Sequence, residues 1–166
     1  MPGFAESRGN AAYDLFLSGY TCAQSVVLAF EDMLVPDRGT LLSLSAPFGG
    51  GIGRLRSVCG AVSGALMVLG MVCGKKEQMS LDEKAEFYAL VREYTSRFSE
   101  RSGGSIICSE LLADVIHTDG GRPEERTAEY YSKRPCPGLC RIAAEVLAGM
   151  LEEKGITKQS QGAPTK

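Results

Sequence analysis

The sequence predicts an all-α protein, folded as a single-domain helical bundle or orthogonal array of about six to eight helices. Apolar residues recur at helical spacing through almost the whole chain, for example at Phe87, Val91, Tyr94 and Phe98. Capping residues and glycines divide this pattern into short segments. No stretch alternates apolar and polar residues as a half-buried strand does, and no internal repeat is present.

Start and stop signals set the ends of the predicted helices. Gly19 is suited to end the first helix as a C-cap, and the hydroxyl of Thr21 can cap the second. Ser80 and Glu83 form a capping-box pair at the start of the clearest amphipathic segment. The predicted helices span residues 6–18, 21–33, 40–46, 57–74, 80–102, 105–119, 123–132 and 136–154.

The composition indicates an ordinary globular domain. The chain has 166 residues, of which 44% are hydrophobic and 23% charged, and this length is enough for one core. We therefore expect residues 1–154 to form a single domain and the polar residues 155–166 to form a disordered tail. A net charge of -2 argues against nucleic acid as a partner.

Membrane insertion and export are not expected. The longest apolar stretch, residues 60–74, is shorter than the roughly 20 residues that a membrane-spanning helix needs. The N-terminal residues lack the charged-then-apolar layout of an export signal, so a cytoplasmic location is the expectation. In that reducing compartment the six cysteines are expected to be core residues, metal ligands or redox groups rather than structural disulfides.

Four of the six cysteines fall at predicted helix starts. Free N–H groups and the helix dipole favour an anion there, which predicts a lowered thiol pKa and more thiolate. Thiolate is the form that binds metal or attacks a disulfide. The four candidate site residues are Cys22, Cys59, Cys108 and Cys136, which follow the predicted caps Thr21, Ser57 and Ser105 or open the last helix.

The other two cysteines have different surroundings. Cys73 lies at the C-terminal end of its predicted helix, about 21 Å from Cys59 along a straight helix, so the two cannot share one small site. Cys140 lies one turn after Cys136 on the same apolar stripe. We interpret Cys140 as a core residue that is also available as a reserve ligand or a resolving thiol.

Cysteine spacing leaves the chemistry open. No C-x2-C pair is present, so zinc-ribbon and ferredoxin signatures are absent. Single cysteines from four helices could be gathered by the tertiary fold around a cluster or as two redox-active pairs, and the alternative is that they are scattered core residues. The single histidine, His117, is expected to cap a helix end rather than bind metal.

Glycines lie on both sides of Cys59, the second candidate site residue. They suggest that the backbone closely approaches other parts of the protein there. The backbone N–H groups of Gly50 and Gly51, with the side chain of Arg54, are expected to face the sulfur site. This loop lacks the Lys-Ser/Thr of a Walker motif, so its alternative interpretation is a tight turn. Gly60 and Gly64 predict that another helix packs directly on the helix that follows Cys59.

These residues together resemble the C_GCAxxG_C_C family of redox-active proteins. The four cysteines that name the family match the four candidate site residues, and Cys73 and Cys140 match positions where the family usually has other residues. The resemblance covers roughly residues 10–150 and is carried by the segments 19–26 (GYTCAQSV), 48–54 (FGGGIGR), 59–65 (CGAVSGA), 105–112 (SIICSELL) and 134–137 (RPCP).

The resemblance implies a cofactor. The family is similar to the iron–sulfur part of split-Soret cytochromes c, which implies a four-cysteine [2Fe–2S]-type centre in a helical fold. The C-x-x-C-H pattern for haem attachment is missing. Electron transfer or redox sensing with an unspecified partner protein is the first hypothesis, and a homodimer is one option for assembly. A metal-free thiol–disulfide protein and a zinc-stabilised structural or adaptor protein are the alternatives.

Overall fold

The computed structural model describes residues 1–115 and 121–157, and within them the fold is all-α, as predicted. An irregular helical turn, Gly49–Ile52, and three short 3-10 segments, Glu31–Met33, Ala46–Phe48 and Ala113–Val115, join the helices. The eight regular helices are α1 (Phe4–Leu17), α2 (Cys22–Leu28), α3 (Arg38–Ser45), α4 (Gly60–Cys73), α5 (Leu81–Ser102), α6 (Cys108–Leu112), α7 (Ala128–Lys133) and α8 (Cys136–Glu153).

Two capping boxes confirm the predicted helix starts at Thr21 and Ser80. The N–H of Gln24 donates to the Thr21 hydroxyl at 3.2 Å, and the Gln24 side chain accepts from the Thr21 N–H at 3.1 Å. Ser80 and Glu83 make the same reciprocal pair. These bonds satisfy backbone donors that a helix N-terminus leaves without intrahelical partners.

Two other predicted caps are wrong. Helix α4 begins at Gly60 with Cys59 as its N-cap, and α6 begins at Cys108 with Ile107 as its N-cap. Ser57 and Ser105 lie outside these helices because their backbones belong to two extended segments that meet at an isolated antiparallel bridge. A serine a few residues before an apolar helical pattern caps the helix only if the backbone between the two can adopt helical geometry.

The second predicted helix is shorter than expected. It ends at Leu28, and the chain then continues through the 3-10 segment Glu31–Met33. Both Phe30 and Met33 are buried nonetheless. Apolar residues three positions apart share a face in a 3-10 turn as well as in an α-helix, so the spacing alone could not separate the two.

Helix α8 provides much of the core. It contacts α1, α2, α4 and α5, and its predicted apolar stripe is buried, including Cys140, Ala143, Leu147 and Met150. Tyr94 of α5 is fully buried against it and donates its hydroxyl to the Ala143 carbonyl at 3.3 Å. Among the helices of the described residues, none combines the length and apolar character needed to cross a bilayer.

Helices α2 and α4 are in backbone contact, as the glycines of α4 predicted. A Cβ on Gly60 would lie 2.8 Å from the Phe48 carbonyl oxygen and 3.1 Å from the Cβ of Cys22. A Cβ on Gly64 would lie 2.5 Å from the Ala23 carbonyl oxygen. The absence of side chains at these two positions therefore brings the start of α2, with Cys22, against the start of α4, with Cys59.

Candidate functional site

One cavity of about 330 Å³ brings the four predicted cysteines together. They come from four different helices and lie up to 114 residues apart in sequence, but all of them line this cavity. Three are the first residues of their helices and the fourth, Cys59, is an N-cap. The cysteine lining consists of Cys22, Cys59, Cys108 and Cys136.

A short backbone ladder holds the Cys59 and Cys108 segments side by side. Val58 and Ile107 form an isolated antiparallel bridge. The N–H of Cys59 donates to the Ile106 carbonyl at 2.8 Å, and the N–H of Cys108 donates to the Ser57 carbonyl at 2.6 Å. Because both cysteines donate through their own backbone N–H groups, the ladder restrains their positions directly.

A second group of thiols lies where α2 meets α8. The thiols of Cys136 and Cys140 both shift the pKa of the Cys22 thiol, so the three side chains lie near one another. The sulfur of Cys140 also lies 3.9 Å from the Cys22 carbonyl oxygen. Cys140 is fully buried and is not part of the cavity lining, so it lies behind Cys22 in the core.

The predicted lowering of the thiol pKa values is wrong for the protein without metal. Burial raises the pKa of Cys59 to about 12, although the backbone N–H groups of Ala61 and Val62 act to lower it. Burial also raises the pKa of Cys108, against a hydrogen bond from Arg56 that lowers it. The helix N-terminus therefore acts in the expected direction at Cys59, but removal of the sulfur from water has the larger effect.

The two remaining lining thiols also have raised pKa values. At Cys136 the hydrogen bond with Cys22 and then burial raise the pKa. At Cys22 the hydrogen bond with Cys136 lowers the pKa, but the hydrogen bond with Cys140 and burial together raise it. The four lining thiols are therefore protonated near neutral pH in this state, and metal binding would have to displace their protons.

The raised pKa of Cys59 gives the metal-free protein a pH-dependent stability. A thiol that stays protonated in the folded state stabilises the fold below its unfolded pKa near 9, and this stability is lost as the pH rises towards about 12. We expect the Cys59 contribution to the free energy of unfolding to fall by about 1.4 kcal/mol per pH unit in that range. Urea denaturation from pH 8 to 11 would measure the slope, and an equal slope in Cys59→Ala would contradict this assignment.

The glycine loop adopts an unusual backbone and packs against a cysteine. Gly50, Gly51 and Gly53 all have φ between 54° and 67°, in the left-handed region that favours glycine. A Cβ on Gly51 would lie 2.6 Å from the Cβ of Cys108 and 2.8 Å from the Ser57 nitrogen. Gly50, Gly51 and Arg54 line the cavity.

Sequence reasoning missed an arginine that contacts a cysteine. Arg56 is 7% exposed, and its Nη1 lies 3.9 Å from the sulfur of Cys108. Arg54 and Arg56 both have positive φ, 67° and 58°, which is uncommon for residues other than glycine. The strained loop thus carries two guanidinium groups to the cavity, and no local sequence pattern indicated which of them would reach a sulfur.

Two further arginines and a tyrosine that line the cavity were also missed. Arg126, Tyr130 and Arg134 lie in or near the short helix α7 and line the cavity. The sequence predicted a helix over residues 123–132, whereas the regular helix is Ala128–Lys133. The signal available in the sequence was the four-residue spacing of Arg126, Tyr130 and Arg134.

The structure separates Cys73 from the other candidates. Cys73 is half-buried at the end of α4 and lines a different pocket, together with Lys75, Glu83 and Phe87. All six cysteines are free thiols. His117 lies outside the described residues, and within them no three Cys, His, Asp or Glu side chains are close enough together to hold a single metal ion.

Comparison with known proteins identifies one family. A model of the family described as "Putative redox-active protein (C_GCAxxG_C_C)" matches residues 20–150, and this range includes every residue of the cysteine lining. Neither the curated proteins nor the solved structures contain a significant match to this chain.

Proposed function

The chain belongs to the C_GCAxxG_C_C family of redox-active proteins, and we propose that its cavity binds a [2Fe–2S]-type centre for electron transfer or redox sensing. The thiolates of Cys22, Cys59, Cys108 and Cys136 would be the ligands. The observation that carries the proposal is that four thiols from four helices line one cavity. Cys140 is left out of the ligand set because it lies behind Cys22 and does not line the cavity.

The arrangement of the thiols suits a two-iron centre better than a single zinc ion. Structural zinc needs four ligand atoms about 2.3 Å from one point, and the described residues contain no group of three such ligands. The lining thiols instead divide into Cys22 and Cys136, whose interaction shifts the pKa of both, and a pair on the bridged segments, Cys59 with Cys108. A [2Fe–2S] cluster takes four cysteines spread over two irons, which accommodates two pairs.

The surrounding residues would tune such a centre. The cluster would supply a one-electron redox couple, whose potential depends on hydrogen bonds to sulfur and on burial. The Ala61 and Val62 N–H groups interact with the Cys59 sulfur, and the Arg56 guanidinium lies against Cys108. Both contacts stabilise negative charge on the thiolates, so they favour the deprotonated ligands and the reduced state.

A metal-free thiol–disulfide function is the second candidate. The observation in its favour is that the buried sulfur of Cys140 lies 3.9 Å from the Cys22 carbonyl oxygen, which places a third thiol next to the cavity cysteine Cys22. Exchange with a disulfide of a redox partner would join Cys22 to either neighbour, Cys136 or Cys140, in a disulfide and leave the two sulfurs of the partner as thiols, which take up the electrons and protons. A redox partner protein, a homodimeric state and a reducing cytoplasmic location stay predictions under both functions.

Metal and sulfide analysis separates the two candidates. We expect the full-length chain, purified anaerobically or reconstituted with iron and sulfide, to contain about two irons and two acid-labile sulfides per chain. It should be brown, and it should give an electron paramagnetic resonance signal after reduction. A colourless protein that contains zinc, or that contains no metal after reconstitution, would contradict the proposal.

A further inference from the structure

The cysteines that line the cavity have little contact with solvent. Cys59, Cys108 and Cys136 are 4%, 7% and 8% exposed. A site for a metal or a redox group needs a path by which its side chains can be reached. Access to these sulfurs therefore depends on whether one wall of the cavity can move.

The walls formed by the cysteine-bearing helices and the glycine loop are held by backbone contacts. Helices α2 and α4 touch through backbone atoms. An isolated antiparallel bridge joins the segments that carry Cys59 and Cys108. The N–H of Ser109 donates to the Arg56 carbonyl at 3.1 Å, which ties the end of the glycine loop to α6. Movement of these walls would break contacts between several elements at once.

The wall formed by residues 121–134, which we call the α7 segment, is attached differently. It supplies Arg126, Tyr130 and Arg134 to the cavity lining, but no residue of α7 is buried. Within residues 1–115 and 121–157 its backbone hydrogen bonds are all internal, for example from the Thr127 N–H to the Glu125 carbonyl at 3.1 Å. Segments with few buried groups and no backbone bonds to their surroundings open at low free energy.

Side chains fasten the α7 segment to the end of α1. The Tyr131 hydroxyl donates to the Leu17 carbonyl at 3.2 Å, and its ring meets the Phe16 ring edge-on with the centroids 6.0 Å apart. The Arg126 guanidinium lies 4.3 Å from the Phe16 centroid and donates to the Tyr20 carbonyl at 3.4 Å. The last carbonyls of a helix lack intrahelical partners, so the end of α1 offers acceptors for donors from another segment.

We propose that the α7 segment is a lid over the cysteine cavity, which opens when Arg126 and Tyr131 release the end of α1 and closes when they dock on it again. The segment continues through Pro135 directly into Cys136, so one of its hinges adjoins a lining cysteine. The inference rests on the proposed function only for what passes through the opening, an iron–sulfur centre or the redox group of a partner. Opening itself needs no metal.

Pulse labelling of the reduced, metal-free, full-length chain with N-ethylmaleimide tests the lid, with peptide mass spectrometry as the readout for each cysteine. Tyr131→Phe keeps the ring and removes the hydroxyl, so we expect labelling of the lining cysteines to become about fivefold faster. Arg126→Met removes hydrogen bonds and ring stacking together, and we expect acceleration of about tenfold or more. Loss of this cation would by itself slow labelling, because the thiolate is the reactive form.

The matched control is Arg122→Met, which removes the same charge from an exposed residue of the same segment and should leave the labelling rate unchanged. Acceleration in Arg122→Met equal to that in Arg126→Met would assign the effect to charge rather than to docking on α1, and it would overturn the proposal. Unchanged labelling of the lining cysteines in both Tyr131→Phe and Arg126→Met would overturn it as well.

The other two cysteines separate lid opening from wider unfolding. Cys140 is fully buried behind Cys22, and Cys73 lines a different pocket, so opening of the lid exposes neither. We expect both to be labelled at the wild-type rate in Tyr131→Phe and Arg126→Met. Acceleration at Cys140 in parallel with the lining cysteines would mean general unfolding and would contradict a separate lid.

Hydrogen exchange of the wild type gives a second test, which needs no variant. The amide protons of α7 should exchange at least about tenfold faster than those of α8, through an opening that leaves the rest of the fold closed. Exchange of α7 as slow as that of α8 would show that this wall opens only with the whole domain, and the lid would be excluded. Failure of the chain to bind iron would contradict the proposed function and leave both measurements of the lid valid.

Discussion

Replacing Cys59 with alanine should abolish iron binding, whereas replacing Cys73 with alanine should leave it intact. Cys59 lines the cavity at the start of α4, and Cys73 lies at the opposite end of the same helix in a different pocket. Each change removes one small side chain from α4, so both should cost on the order of 1 kcal/mol of stability. Only Cys59→Ala removes a proposed thiolate ligand.

The readout is iron and acid-labile sulfide per chain, measured beside the thermal midpoint of each variant. Similar midpoints with different iron content would assign the loss to ligation rather than to folding. Equal loss of iron in both variants would mean that the cavity is not where the metal binds, and full iron content in both would remove Cys59 from the ligand set.

Replacing Gly51 with alanine should greatly reduce cofactor occupancy, and replacing Gly53 with alanine should not. Both glycines have left-handed backbones, so a Cβ at either position costs about 1–2 kcal/mol in conformational strain. At Gly51 the added Cβ would also lie 2.6 Å from the Cβ of Cys108 and 2.8 Å from the Ser57 backbone. At Gly53 it would meet no atom within 4 Å.

Comparing Gly51→Ala with Gly53→Ala therefore separates the effect of displacing Cys108 from the effect of lost stability. The collision at Gly51 can be relieved only by moving Cys108 or the bridged backbone, because no flexible side chain lies in the way. Iron per chain and the free energy of unfolding should be measured for both variants against wild type. If the Gly51 variant retained full occupancy and only unfolded earlier, the loop would be a packing element and Cys108 would tolerate displacement.

Local patterns in the sequence were sufficient to predict the fold class and the helix starts that matter most. The capping boxes at Thr21 and Ser80 and the apolar stripe of α8 depend on residues three or four positions apart. Interactions at this range are written directly in the sequence. The cap at Thr21 correctly placed Cys22 at a helix start, whereas Cys59 and Cys108 were selected through the caps Ser57 and Ser105, which lie outside α4 and α6.

The properties of the site depended on contacts between distant segments. Burial, which reverses the expected pKa shift of Cys59, arises only when several helices close around the sulfur. Arg56 reaches Cys108 across 52 positions, and Cys140 reaches Cys22 across 118. No periodicity within one helix encodes such pairs, because their proximity results from the packing of whole elements.

The sequence by itself determined that helix N-termini present four cysteines and that glycines surround two of them. The tertiary structure alone decided that these N-termini converge on one cavity and that the arginines flanking α7 and those of the glycine loop line it. The physical reason is the range of the interactions involved. Capping and helical periodicity act within one or two turns, whereas desolvation and charge clustering are properties of the assembled fold.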